Sequence, residues 1–109
     1  EQLFVLDLGA GAVHRARRDG QVLETLGDGS LALAASLVVD RFERAWVLDA
    51  QGRWLTLLAS GQAPRVLEAA QLGVQQIGGV AVDERALAVS DRLAGQVLIH
   101  PLPPPGEAP

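Results

Sequence analysis

Five aspartates are the residues of this sequence whose type and spacing most readily suggest chemistry. Asp7, Asp49 and Asp91 follow one another at a constant step of 42 residues, and Asp40 and Asp83 each close an apolar run ahead of the second and third of them. Carboxylates that recur in this way could line a common face and serve a catalytic site. A catalytic site is usually asymmetric, however, and an Asp at a strand end can accept backbone N–H bonds and fix the following turn. We therefore predict that all five are structural turn residues.

Other reactive side chains are not grouped as a catalytic or metal site requires. His14 and His100 lie far apart, with no further His, Cys or carboxylate at ligand spacing. The chain has neither cysteine nor lysine, which excludes thiol chemistry and a Walker-type phosphate loop. A Gly-x-Ser-x-Gly elbow is also missing, and Gly9-Ala10-Gly11 lacks the third glycine of a dinucleotide fingerprint. We expect no cofactor and no metal, and we assign no catalytic residue.

The charge and hydropathy patterns exclude two classes of partner. The formal net charge is −4, whereas phosphate binding needs a basic surface, so we expect no nucleic acid. Hydrophobic residues make up 49% of the chain, yet no run approaches the ~18 apolar residues that a membrane span requires. No signal-peptide pattern marks the beginning of the sequence, and its composition does not indicate a compartment.

A repeat explains the spacing of the aspartates and predicts the fold. Val5-Leu6-Asp7, Val47-Leu48-Asp49 and Val89-Ser90-Asp91 recur every 42 residues, which is the length of one four-stranded propeller blade. The segments between turn signals are short and rich in Val and Leu, which favours strands. The predicted strands are 3–7, 13–17, 21–26, 37–40, 45–49, 53–58, 65–69, 79–83, 87–91 and 96–100. The predicted fold class is all-β, a partial β-propeller of about two and a half four-stranded antiparallel blades.

We predict that residues 1–109 form one propeller fragment. Residues 1–27 would supply strands B to D of a blade, residues 31–72 a complete blade, and residues 77–109 strands A to C of a third. A closed propeller carries roughly four to eight blades. Either the chain is a fragment of a longer polypeptide, which the exposed strand edges favour, or several copies complete the ring. The expected partners are therefore the remaining blades of the same protein or other copies of the chain.

The pattern resembles the NHL-type repeats of six-bladed β-propellers. Residues 37–40, 45–49 and 52–55 match that family's order of an apolar strand closed by Asp, an aliphatic strand closed by Asp and a Gly-led third strand; residues 79–83 and 88–98 repeat it. The related lactonase propellers of the gluconolactonase type hold calcium with inward Asn, Asp and Glu, and this chain has no Asn to match. Propellers of similar appearance also occur as modules of bacterial contractile tail and baseplate proteins. The resemblance implies the fold far more than the function, and the tail and baseplate modules would fit a scaffold role.

Two functions of different classes remain open. The first is a non-catalytic propeller scaffold or interaction module of a larger protein or assembly, which binds a protein, or a glycan or peptide, through loops on one face, where recognition usually resides. The loops at 8–12, 27–30, 50–51, 73–78 and 92–94 should share that face. The candidate interaction residues are Leu8, Gly9, Ala10, Gly11, Asp28, Ser30, Gln51 and Arg92. The alternative is a lactonase-like metal-dependent hydrolase whose site residues lie mainly outside this chain. Trp46 and Trp54 are expected to pack between blades.

Overall fold

A computed structural model describes residues 2–106, and over this range the fold is all-β. Ten strands form three antiparallel sheets of three, four and three strands, in the orders β1-β2-β3, β4-β5-β6-β7 and β10-β9-β8. The strands are β1 (Gln2–Asp7), β2 (Ala12–Arg17), β3 (Val22–Leu26), β4 (Ala34–Val39), β5 (Ala45–Asp49), β6 (Trp54–Leu58), β7 (Arg65–Glu68), β8 (Ile77–Val82), β9 (Ala86–Asp91) and β10 (Gln96–Pro101). The all-β prediction is confirmed, and each predicted strand is present. The last residues of the predicted third unit, 107–109, lie outside the described range.

Helical structure within residues 2–106 is limited to one 3₁₀ turn, Ala69–Leu72, directly after β7. The sequence prediction assigned Ala69 to the end of a strand. Gly73, at φ 80°, ends this turn in the left-handed conformation, which glycine adopts without steric cost. No helix in this part of the chain is long and apolar enough to cross a membrane.

The two faces of each sheet follow from the alternation of side chains along the strands. We call the face that carries Val5, Val47 and Val89 the front face of its sheet, and the opposite face the back face. The strand registers pair Val5 with His14, Val47 with Thr56 and Val89 with Leu98 on the front faces. They pair Leu6 with Val13, Leu48 with Leu55 and Ser90 with Val97 on the back faces.

The sheets stack so that the back face of one covers the front face of the next. Val13 and Leu26 of the first sheet share a buried cluster with Ala45, Val47 and Leu58 of the central sheet. Each such side chain removed from water contributes about 1.5–3 kcal/mol. Because the central sheet is covered on both faces, every residue of β5 is buried.

The second interface repeats the same arrangement. Trp46 and Leu55, on the back face of the central sheet, pack in one cluster with Leu87 and Val89, on the front face of the third sheet. Trp46 is fully buried and Trp54 is half-buried. Leu72 of the 3₁₀ turn joins this cluster, which ties the connection between the two sheets to the core.

The chain passes from sheet to sheet through close backbone contacts. The N–H of Ile77, the first residue of β8, donates to the carbonyl oxygen of Gly52 in the β5–β6 turn, at 2.8 Å. Gly52 has φ 68°, and a Cβ there would collide with the Ile77 carbonyl oxygen. Glycine is therefore required twice at this position, for its backbone angle and for the space it leaves.

Candidate interaction surface

All five predicted turn aspartates hold a turn that follows their own strand. Asp49 accepts hydrogen bonds from the backbone N–H groups of Gln51, Arg53 and Trp54, at 3.1, 2.7 and 3.1 Å. The others accept from one or two turn N–H groups each: Asp7 from Ala10, Asp40 from Phe42 and Arg44, Asp83 from Arg85 and Ala86, and Asp91 from Leu93 and Ala94. The repeat therefore places the same polar turn at the same point of every sheet.

Hydrogen bonding lowers the pKa of three of these carboxyl groups, Asp7, Asp83 and Asp91. The pKa of Asp91 lies below its usual value, chiefly because the backbone N–H of Gln75 donates to it, at 3.0 Å. The Arg85 N–H is the main reason that the pKa of Asp83 is lowered. A carboxylate that accepts backbone N–H bonds is favoured over its protonated form. The bond from Gln75 also joins the segment before β8 to the β9–β10 turn.

The aspartates do not converge on one site. No group of three or more His, Cys, Asp or Glu side chains with metal-binding geometry occurs within residues 2–106. Asp40 belongs to the β4–β5 turn, at the edge opposite the turns that follow Asp7, Asp49 and Asp91, because alternate turns of an antiparallel sheet lie at opposite edges.

One edge of the stacked sheets gathers the loops that the sequence singled out. We call this the loop edge, and it comprises residues 8–11, 27–33, 50–53, 73–76 and 92–95. Four backbone hydrogen bonds connect successive loops along it: Leu31 N–H to Gly11 O at 3.2 Å, Ala50 N–H to Leu33 O at 2.7 Å, Ile77 N–H to Gly52 O at 2.8 Å, and Arg92 N–H to Gln76 O at 2.8 Å. The loops are thus fixed to one another and to the sheets beneath them.

Seven of the eight candidate interaction residues are exposed on the loop edge. These are Leu8, Gly9, Ala10, Asp28, Ser30, Gln51 and Arg92, whereas Gly11 is half-buried. Gly11 is partly covered by the backbone of Leu31: a Cβ on Gly11 would lie 3.3 Å from the Leu31 carbonyl oxygen. Ser30 donates its hydroxyl to the Gly27 carbonyl oxygen, at 2.6 Å, so this side chain helps to shape its own turn.

The eight candidate residues did not include two exposed leucines on the same edge, although Leu93 lies in one of the predicted loops. Leu33 and Leu93 expose 60% and 64% of their surface, close to the 66% of Leu8. Leu33 also has φ 58°, a left-handed conformation that costs a non-glycine residue roughly 1–2 kcal/mol. Leu33 lies beyond the predicted loop 27–30 and carries no turn signal, so only the observed backbone could have revealed it. Together with Leu8 they make the loop edge partly apolar.

A second unpredicted feature is a row of polar side chains across the front face of the first sheet. His14 Nε2 lies 2.9 Å from Asp7 Oδ2, and His14 Nδ1 lies 3.0 Å from Thr25 Oγ1. A neutral ring that donates from Nε2 to Asp7 accepts at Nδ1 from the Thr25 hydroxyl. The bond from His14 is the main reason that the pKa of Asp7 is lowered.

This row has the side-chain types of a nucleophilic triad but not its surroundings. A carboxylate, an imidazole and a hydroxyl in sequence can transfer a proton. Acyl transfer also needs donors directed at the developing oxyanion. The neighbours on this face are Leu3, Val5 and Val22, which are exposed and apolar. We interpret the row as three polar groups that satisfy one another on an otherwise apolar face.

Asp40 has a role that its four counterparts lack. It pairs with Arg44 at 2.8 Å and accepts the indole N–H of Trp46 at 2.9 Å. Arg44, 4% exposed, donates in turn to the carbonyl oxygen of Pro103, at 2.7 Å. This buried ion pair is fully hydrogen-bonded and attaches the segment after β10 to the central sheet, which is a structural function.

A cleft of about 370 Å³ opens between the first and central sheets at the edge opposite the loops. Two of its charged lining residues pair within the first sheet, because Arg15 Nε lies 3.2 Å from Glu24 Oε1, and Ser60 donates to Glu24 Oε2 at 2.7 Å. The bond from Ser60 connects the central sheet to the first sheet across this cleft. The loop edge is the stronger candidate for recognition, since its exposed side chains are not used in this way.

Comparison with known proteins does not assign the loop edge a role. No protein-family model matches the chain, and neither a curated protein nor a solved structure matches it.

Proposed function

We propose that this chain is a section of a non-catalytic β-propeller of the NHL type, and that it binds a protein partner through its loop edge. The stacking of back face on front face, twice in succession, supports consecutive blades. The observation that carries the binding role is the row of loops joined by backbone hydrogen bonds, from Gly11 to Arg92, on which exposed leucines project.

A protein partner fits this surface better than a small ligand does. Leu8, Leu33 and Leu93 are distributed along the edge instead of lining one concave pocket, and Gln51 and Arg92 lie between and beside them. Protein interfaces combine apolar contacts with a polar rim over a broad area. Because the loops are attached to buried sheets, the surface is preorganised, which lowers the entropic cost of binding.

A pair of loop substitutions tests this proposal. Leu8→Ser and Leu93→Ser together remove exposed apolar contacts at both ends of the loop edge, while Val66→Thr alters an exposed residue of β7 away from it. Proteins that associate with the tagged chain in extracts of its source cells are quantified by mass spectrometry. We expect specific partners to be lost with the double variant and retained with Val66→Thr. Partners that persist undiminished on the double variant contradict the proposal.

A calcium titration followed by thermal unfolding tests the non-catalytic assignment. A ligand that binds only the folded state raises the melting temperature with its concentration. We expect no such rise with calcium. A saturable increase would instead support the metal-dependent hydrolase.

A further inference from the structure

The outermost front face, on the first sheet, is exposed at positions that are buried in the other sheets. Val5 is 48% exposed, whereas its equivalents Val47 and Val89, one and two repeats later, are 2% and 0% exposed. Leu3 is 43% exposed, while its equivalents Ala45 and Leu87 are buried. Apolar residues occupy these positions although the face is exposed, which is what we expect of a face that another sheet covers.

The outermost back face, on the third sheet, is likewise exposed at positions that are buried in the other sheets. Val97 is 65% exposed, and its equivalents Val13 and Leu55 are both 0% exposed. Ile99, also 65% exposed, corresponds to Leu57, which is 7% exposed. The strand registers place Gly79, Ala81, Ala88 and Ser90 beside these two residues, so this face carries no charged side chain among the positions paired with Val97 and Ile99.

Two interfaces within the chain show what covers such faces. In both, the back face of a sheet packs on the front face of the next, and no front face meets a front face. The exposed back face of the third sheet therefore matches the exposed front face of a first sheet. The two free faces lie at opposite ends of one stack, so they cannot meet each other within it, whereas two copies can bring them together.

Side-chain size and polarity also suit this contact. Ala88 occupies the back-face position that Trp46 fills in the central sheet, and Leu3 occupies the front-face position that Ala45 fills. The back face of the third sheet, which has the smaller side chain at its position, would thus meet the front face of the first sheet, which has the larger side chain at its position. The polar row of the front face can be covered without leaving a side chain unsatisfied, because His14 is bonded to both Asp7 and Thr25.

We propose that two copies of this chain associate head to tail, with the front face of each first sheet against the back face of the other copy's third sheet. The stoichiometry rests on the proposed propeller: residues 2–106 supply three sheets, so two copies of them supply six and three supply nine, and closed propellers carry roughly four to eight. A heterologous contact closes only when its rotation completes a ring. Two copies satisfy that condition and bury both apolar faces of each.

The first test uses the complete absence of cysteine from the chain. Val5→Cys and Val97→Cys chains, one of them tagged, are treated with a short flexible bismaleimide, separately and as an equal mixture. We expect a cross-linked dimer that contains one chain of each kind in the mixture, and only background in either variant alone. Cross-linking of a single variant with itself, front to front or back to back, overturns the proposal.

The second test measures mass in solution. Light scattering of the whole chain is expected to give twice the 11.4 kDa of one chain. Val97→Glu places a charge on the back face, and we expect it to raise the dissociation constant by more than about tenfold. Val66→Glu, on an exposed strand of the central sheet, is the control and should leave the dimer intact. A monomer at all concentrations, or an open chain of growing mass, overturns the proposal.

These outcomes are separable from the loop-edge proposal. Leu8→Ser and Leu93→Ser leave both terminal faces unchanged, so partner loss with these variants reports on the loop edge alone. A monomeric chain whose partners are still lost on loop substitution would refute self-association and retain the proposed function.

Discussion

Three glycines test whether the sheets are joined by close backbone packing. Gly11, Gly52 and Gly95 have nearly the same left-handed φ, at 62°, 68° and 67°, so an Ala costs each roughly the same 1–2 kcal/mol in backbone strain. They differ in surroundings. A Cβ on Gly52 collides with the Ile77 carbonyl, one on Gly11 lies 3.3 Å from the Leu31 carbonyl oxygen, and one on Gly95 meets nothing within 4 Å.

The expected losses of stability are therefore graded. Gly52→Ala adds a steric cost of about 1–3 kcal/mol and weakens a backbone hydrogen bond of about 1 kcal/mol, so it should exceed Gly95→Ala by about 2–4 kcal/mol. Gly11→Ala should fall between them. Urea unfolding, followed by the fluorescence of buried Trp46 at one protein concentration, measures all three. Equal losses for Gly52→Ala and Gly95→Ala would refute the reasoning, because then only the backbone angle matters.

Three further predictions concern burial and charge. Val47→Ala should cost about 2–3 kcal/mol of unfolding free energy, whereas Val5→Ala should change that of the dissociated chain by less than about 0.5 kcal/mol, as measured by urea unfolding of dilute protein. Asp40→Asn should cost about 3–5 kcal/mol because it leaves the buried Arg44 without its ion-pair partner, and Asp83→Asn, at an equivalent but exposed turn, should cost less in the same assay. The pKa of Asp91 is lower in the folded chain than in the unfolded one, so the unfolded state takes up its proton first as the pH falls. The stability that Asp91 contributes should therefore be complete above about pH 4 and be lost below it, and urea midpoints from pH 7 to 2 should fall less steeply in Asp91→Asn.

Strand positions and turn chemistry could be predicted because both are local properties. The repeat of 42 residues identified equivalent positions, and short Val- and Leu-rich segments between Asp and Gly identified strands and their ends. The 3₁₀ turn after β7 was missed because Ala69 and Ala70 carry no strong signal against continuing a strand. Its stability comes from Leu72, which packs in the core between two sheets.

The contact of Asp7 with His14 could have been inferred with one further step. A four-residue turn between β1 and β2 pairs Val5 with His14, and this register places Asp7 and His14 on one face. Spacing along the sequence does not take account of how β1 and β2 pair, so it did not indicate the contact between Asp7 and His14. Burial of Arg44 is different, because it depends on the carbonyl of Pro103, 59 residues away, and no local pattern contains that information.

Residues that differ from their equivalents in the other repeats are the most informative about a specific function. Every sheet shares the Asp-held turn, so substitutions there affect stability and say little about recognition. Leu33, strained and exposed, has no role in either core cluster, yet its carbonyl positions the β5–β6 turn. The backbone of Leu33 is left-handed and its carbonyl oxygen accepts from the Ala50 N–H at 2.7 Å, so the fold uses this conformation, whereas the exposure of its side chain is what the proposed binding surface would use. Val5 and Val97 also depart from the repeat: their equivalents Val47 and Val13 are buried between sheets, whereas Val5 and Val97 are exposed at the two ends of the stack, where the proposed second copy would bind.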